Sequence, residues 1–230
     1  MSASEYKKII GSNDRINIGF LGCGARSGGH RQMVNMSLED KNLGVVAVCD
    51  IWKINREKAA AQCKKLFGTD VKRFQYSEDM LNMPELDAVM IATGDHQHAK
   101  VLAEVVNAGK DCYCEKPMAL TVAEGRAIVN AARKYDRVFQ TGNMQRSWRN
   151  FRHACEMVLN GYIGEIREIN VSVGVPVMAC ELPAVPEPDY LNWDLWVGPS
   201  LFRHYHPQLS PPIEDKGWAS WRNYRGFGGG

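Results

Sequence analysis

The chain has 230 residues, 45% hydrophobic and 23% charged, an ordinary globular balance. Its 28 basic and 26 acidic side chains leave a net charge of +2, mixed along the chain with no basic stripe, which argues against a nucleic-acid partner. No apolar run is long enough to span a bilayer, and the N-terminus lacks an apolar signal core.

Apolar runs and helical periodicity alternate along most of the sequence. Residues 15–21 read as a first strand that runs into Gly22 and Gly24. Residues 25–38 read as a helix with Met33, Val34, Met36 and Leu38 as its apolar contacts. A second strand over 44–49 ends in Asp50, and a helix over 52–67 carries Trp52, Ala59, Ala60 and Cys63 until Gly68 stops it. A short third strand spans 71–76. Ser77 is placed to cap a turn that reaches Leu81, before Pro84. Residues 86–92 are nearly all apolar, as a strand buried on both faces requires. A helix over 96–108, with Asp95 as N-cap, ends at Gly109. A fifth strand covers 110–114. Thr121 and Glu124 form a capping-box pattern for a helix to about residue 135, and a sixth strand covers 138–141. Six strands joined by helices imply a parallel, doubly wound α/β sheet. The pattern then changes. Residues 147–160 read as a helix ending at Gly161, and 163–175 as a longer β segment. Of the 10 prolines, most follow that segment, among Trp193, Trp196, Trp218 and Trp221.

The first strand, its glycines and the acid after the second strand stand in the order of a dinucleotide-binding βαβ unit. Gly22 permits the turn out of the strand, and Gly24 lets the backbone approach a pyrophosphate. The helix opening at Ala25 offers unpaired N–H groups to phosphate, and Arg26 offers charge. Ser27 stands where the motif has its third glycine. Asp50 is placed to accept ribose hydroxyls and would repel a 2′-phosphate, which favours NAD over NADP. These parts divide the chain into an extension over 1–13, a dinucleotide-binding domain over 14–142 and part of a second domain over 143–230.

Ligands of such sheets sit beyond the carboxyl ends of the strands. That edge gathers Glu115-Lys116-Pro117 after the fifth strand, Thr93 to His98 after the fourth, and Asn143 to Arg146 after the sixth. Pro117 restricts the backbone of Lys116, whose ammonium is a candidate to hydrogen-bond a substrate hydroxyl and assist proton transfer. His96 and His98 either begin a helix or orient hydroxyls. Asn143 and Arg146 either contact ligand or cap the next helix. The seven cysteines fit neither a disulfide framework nor zinc spacing, so free thiols and no metal site are expected.

Together, the glycine loop, Asp50, the Thr93–His98 segment and above all Glu115-Lys116-Pro117 resemble the glucose–fructose oxidoreductase / inositol dehydrogenase / MocA family. The likeness runs from about residue 14 to the C-terminus. It extends to Trp193-Asp194-Leu195-Trp196-Val197-Gly198-Pro199 and Tyr205-His206-Pro207 of a bacterial subgroup. The resemblance implies an N-terminal Rossmann domain followed by an α/β domain with a mainly antiparallel open sheet. It implies an NAD(P)-dependent oxidoreductase of sugars or polyols, homo-oligomeric at full length, with Lys116 catalytic and Glu115 near the nicotinamide ribose. Thr93 and His98 join the cofactor side. His96, Arg146, Trp193, Tyr205, His206, Trp218 and Arg222 are candidates for the substrate wall. A cytoplasmic location is expected, or export of the folded protein where a leader has been removed, as in several subgroup members. Gly94 departs from the family's frequent proline. The family's Asp and His of the second domain follow a glycine-rich segment, and Phe227-Gly228-Gly229-Gly230 reaches only the start of one. Two other functions remain open: a glycosidase that uses bound NAD for transient redox, and a nucleotide-binding protein or fragment without turnover.

Overall fold

A computed structural model of the chain describes residues 15–38, 41–210 and 220–229. Six strands form one sheet: β1 (Ile16–Leu21), β2 (Leu43–Cys49), β3 (Lys72–Phe74), β4 (Ala88–Ile91), β5 (Asp111–Glu115) and β6 (Phe139–Gly142). Their order is β3-β2-β1-β4-β5-β6, and every neighbouring pair is parallel. The helices between them are α1 (Ala25–Met36), α2 (Lys53–Phe67), α3 (Ser77–Leu81), α4 (His98–Asn107) and α5 (Val122–Lys134), with α6 (Arg149–Leu159) and α7 (Trp193–Val197) beyond the sheet.

Strand alternation builds the two faces. Ile18 and Phe20 of β1 point to α1 and α2, where Val34, Ala59, Ala60 and Cys63 close one core. Leu21 of β1, with Val89 and Ile91 of β4, points to α4 and α5, where Val101, Leu102, Val105, Val106 and Ile128 close the other. Gly68 ends α2 in the left-handed conformation at φ 69°, as its place in the sequence predicted. Thr121 and Glu124 complete both halves of the capping box. Two caps differ from expectation. Asp95 is the first residue of a short 3-10 helix, Asp95–Gln97, whose N-cap is Gly94. The N-cap of α3 is Tyr76, because the Ser77 hydroxyl instead donates to Glu104 at 2.9 Å.

A third apolar cluster lies outside the sheet. Trp193, Val197, Tyr205, Leu209, Trp221 and Phe227 pack together and against Trp52 at the start of α2. The short helix Asp95–Gln97 anchors this segment. Gln97 Nε2 donates to the Leu195 and Trp196 carbonyls at 2.8 and 2.7 Å, and His96 Nε2 donates to the Trp196 carbonyl at 2.8 Å.

The β segment expected over 163–175 is not a strand. A strand exists only through its ladder, and no described residue pairs with this stretch. Ile169, Val171, Val173 and Val175 are all exposed, and α6 has no buried residue. The mainly antiparallel sheet is therefore not formed among the described residues. Trp218 lies outside them.

Candidate functional site

The strand order reverses between β1 and β4, and a cleft of about 790 Å³ opens at the carboxyl ends of these strands. This volume suits a large cofactor. Gly22, Gly24, Ala25 and Arg26 line one side, Asp50, Trp52 and Asn55 a second, and Thr93, His96 and Arg222 a third.

Each glycine has a separate reason. Gly22 sits at φ 81°, and a Cβ there would lie 2.7 Å from the Ala92 carbonyl carbon and the Thr93 nitrogen. The close approach of β1 and β4 thus demands glycine at this position. Gly24 has an extended backbone that any residue adopts, and a Cβ there would meet nothing within 4 Å. Nothing in the fold requires glycine there. The space over it is open to a ligand. Gly24 is also the N-cap of the 12-residue α1, which has neither a side-chain cap nor an acid in its first turn, so its leading N–H groups face the cleft unpaired by side chains. The cradle fits a pyrophosphate.

Asp50 holds this loop in place. One carboxylate oxygen accepts the Cys23 N–H at 2.7 Å and the other accepts the Trp52 N–H at 2.8 Å. Burial raises its carboxyl above the usual range, against the pull of these two bonds, of Asn55 and of Arg56.

Ser27, expected at the phosphates, is fully buried. Its hydroxyl accepts from Arg31 Nη1 at 2.9 Å, so its side chain serves helix packing and leaves only its backbone toward the loop. Arg26 lines the cleft but also reaches across it, with Nε 2.6 Å from Glu115 Oε1. The same oxygen lies 2.7 Å from Nε2 of the fully buried His30. Burial alone would raise the Glu115 carboxyl, but the bonds from His30 and Arg26 outweigh it and hold the group below its ordinary range. Glu115 thereby ties α1 to the end of β5. No pattern in the sequence marked His30 as its partner.

Lys116 is exposed at the end of β5 and joined to Pro117 by a cis peptide. His98 is buried beneath this turn, and its Nδ1 donates to the Pro117 carbonyl at 2.6 Å. Its Nδ1 is thus taken by the Lys116–Pro117 turn, while its Nε2 is buried without a partner. Asp95 is the acid that the sequence undervalued as a helix cap. Burial raises its carboxyl, opposed by the charges of His98, Arg222 and Lys116.

The remaining candidates separate. Thr93 lines the cleft, and its hydroxyl is buried without a partner. Arg222 lines it with its guanidinium 4.1 Å from the Trp221 ring centre. His96 also lines it but is held by three aromatic rings, with centroids at 5.0 Å (Trp196), 5.9 Å (Trp221) and 5.1 Å (Phe227). Trp193 and Tyr205 do not line the cleft. Both are buried, stacked or edge-on within the third cluster, and Trp193 Nε1 donates to the Arg203 carbonyl at 2.6 Å. His206 lies outside the cleft lining, with Nδ1 accepting the Gln208 N–H at 3.2 Å. Asn143 and Arg146 are exposed beyond β6 and do not line the cleft.

A doubly wound sheet with a phosphate-type glycine loop and an acid at the end of its second strand defines a dinucleotide-binding domain. Residues 16–143 match the model of the oxidoreductase family with an NAD-binding Rossmann fold that groups glucose–fructose oxidoreductase, inositol dehydrogenase and MocA, and the chain belongs to that family. It is 29% identical to inositol 2-dehydrogenase of Agrobacterium fabrum over 75% of this chain and 47% of that protein. It is 27% identical to myo-inositol 2-dehydrogenase of Thermotoga maritima over 77% of this chain and 48% of that protein. Among solved structures it is similar to scyllo-inositol dehydrogenase from Lactobacillus casei, which holds NAD(H) and scyllo-inositol. That likeness has 25% identity and a TM-score of 0.57, over 66% of this chain and 43% of that one. The chain spans about half the length of the curated relatives it matches.

Proposed function

We propose that this chain is the cofactor-holding part of an NAD-dependent dehydrogenase that oxidises a CH–OH group of a sugar or polyol. The observation that carries the reading is the cleft of about 790 Å³ at the strand-order reversal, into which the open Gly24 loop and the uncapped start of α1 face, on the same sheet edge as Lys116. The dehydrogenase relatives support the substrate class. NAD is preferred to NADP because Asp50 would face a 2′-phosphate. Residues 14–142 form the dinucleotide domain, and 143–230 belong to the substrate and oligomer side of the whole protein.

Bound NAD⁺ supplies the hydride acceptor. The chain's residues do the rest. The glycine loop and the start of α1 hold the pyrophosphate, Asp50 keeps the loop in place, and Thr93 offers its hydroxyl to the ligand. Lys116 hydrogen-bonds the substrate hydroxyl and passes on its proton. Asp95 and His98 set the position of that ammonium, the first through charge and the second through the Pro117 carbonyl. Calorimetry of the chain tests the binding half: NAD⁺ titrates as one saturable site, and failure to bind rejects the reading. In the whole protein, assayed against a panel of inositols and hexoses, Lys116→Ala lowers turnover by about 10²–10⁴-fold with NAD⁺ affinity retained, the loss expected of a proton-transfer residue. Unchanged turnover excludes Lys116 as catalytic.

A further inference from the structure

Lys116 leaves the chain between two anchored residues. Glu115 before it is buried at the end of β5, and the Pro117 carbonyl after it accepts from His98 of α4 at 2.6 Å. The two anchors come from opposite faces of the sheet. Cys112 and Cys114 of β5 join the core closed by α4 and α5, so alternation turns Tyr113 and Glu115 toward α1. There His30 sits fully buried, its ring edge-on to Tyr113 at 5.4 Å and 89°, with Nε2 2.7 Å from Glu115 Oε1. We propose that His30 is a positioning residue for Lys116, holding the strand end from which the lysine issues and tying it through Glu115 to Arg26 at the start of α1. This inference rests on the proposed function and adds a residue outside the cleft lining.

A carboxylate only accepts hydrogen bonds, so His30 Nε2 carries the hydrogen. Its Nδ1 is then left buried without a partner among the described residues. Natural folds seldom leave such an atom, and an apolar side chain would fill the same place without one. Donation to Glu115 is what accounts for a histidine here. Both bonds to the carboxylate, from His30 and from Arg26 Nε at 2.6 Å, fall on Oε1. The two donors stand one turn apart on the helix that opens at the glycine loop. Arg26 lines the cleft, and its Nη2 reaches Met144 Sδ beyond β6 at 3.1 Å. A phosphate that draws on Arg26 therefore acts on Glu115. The Arg26 side chain is 37% exposed and that of His30 0%, so His30 is the donor that stays in place while Arg26 adjusts to the ligand.

The test compares wild type, His30→Leu and His30→Gln in the whole protein, on the polyol that wild type oxidises. Leucine fills the site without a donor, and glutamine returns an N–H at the place of Nε2. His30→Leu lowers kcat about tenfold, the worth of one hydrogen bond, with NAD⁺ affinity retained in calorimetry, and His30→Gln recovers most of the loss. The pH profile adds a readout that packing alone does not move. In wild type, burial raises the Glu115 carboxyl and the bonds from His30 and Arg26 bring it below the ordinary 4.5. Without His30, burial is opposed by Arg26 alone, and Tyr113 and Cys114 of β5 are the other titratable groups that feel this charge. The carboxyl then takes up a proton at higher pH, so the ratio of His30→Leu to wild-type kcat falls further as pH is lowered toward 4.5. Where leucine prevents folding, His30→Asn, whose amide ends short of the carboxylate, takes its place with the same outcome expected. Unchanged kcat in the donor-less variant, an equal loss in His30→Gln at a constant ratio across pH, or an effect confined to NAD⁺ affinity overturns the inference and leaves the proposed function standing. A wild type that fails to bind NAD⁺ or to turn over any polyol overturns both.

Discussion

At the level of single residues, the same amino acid does different work at neighbouring positions. Gly22 is fixed by the protein itself, since its φ of 81° and the backbone of Ala92 and Thr93 leave no room for a Cβ. Gly24 has room to spare, and no neighbouring atom excludes a side chain there. Gly22→Ala costs stability, roughly 2–5 kcal/mol from backbone strain plus overlap, measured by denaturant unfolding. An unchanged midpoint would refute the close approach of β1 and β4. The glycine spacing was legible in the sequence because a βαβ unit needs it. The partners of Glu115 were not. Arg26 and His30 lie on α1 and Glu115 on β5, and only the crossover of the chain brings them within 2.7 Å. Ser27 is a related case. As a small polar residue at a phosphate loop it read as a ligand, yet one helical turn later Arg31 claims its hydroxyl.

At the level of elements, helix and strand positions followed closely from period and caps, because each core face is continuous and apolar. The 3-10 helix Asp95–Gln97 is where local reading ran out. It looked like a helix start, and it acts as a dock for a segment about a hundred positions later in the chain. His96 makes that dock sensitive to pH. Burial lowers its pKa below the ordinary 6.5, against the bonds to the Trp196 and Phe227 carbonyls and with His98 adding repulsion. The folded form thus favours neutral imidazole. Its stability is present above 6.5 and is lost as pH falls from there through the lowered value. Asp95 is the first residue of the same short helix, and the Arg222 charge acts on it. Tryptophan fluorescence of the third cluster is expected to change as pH falls below 6.5, and His96→Gln should remove that step while the sheet stays folded. A step that persists in the variant assigns it to another group.

At the level of the whole molecule, apolar surface is distributed unevenly. The two sheet cores are closed, whereas 163–175 and α6 display a row of large apolar side chains to solvent, Val171 at 77% and Val173 at 84%. An uncovered row of this kind associates with itself or with another apolar surface. The chain by itself is expected to form concentration-dependent multimers in light scattering. Val171→Lys combined with Val173→Lys should return it to monomer without loss of NAD⁺ affinity. A monomeric wild type would show that the row is covered in solution. Among the described residues, no helix is long and apolar enough to cross a membrane.

The sequence by itself determined the doubly wound sheet, the glycine cradle, Asp50 at the end of β2 and the placement of Lys116 on the sheet's carboxyl edge. Each of these depends on chain order and on short-range periodicity, which a linear reading carries in full. The tertiary structure alone decided which polar atoms are already satisfied. It withdrew Ser27, Trp193 and Tyr205 into packing, and it left Trp52 and Asn55 with open hydrogen-bonding groups in the cleft. It also left 163–175 without a ladder. A hydrogen bond or a strand needs a second partner that sequence spacing does not name, and that partner comes from wherever the chain folds back.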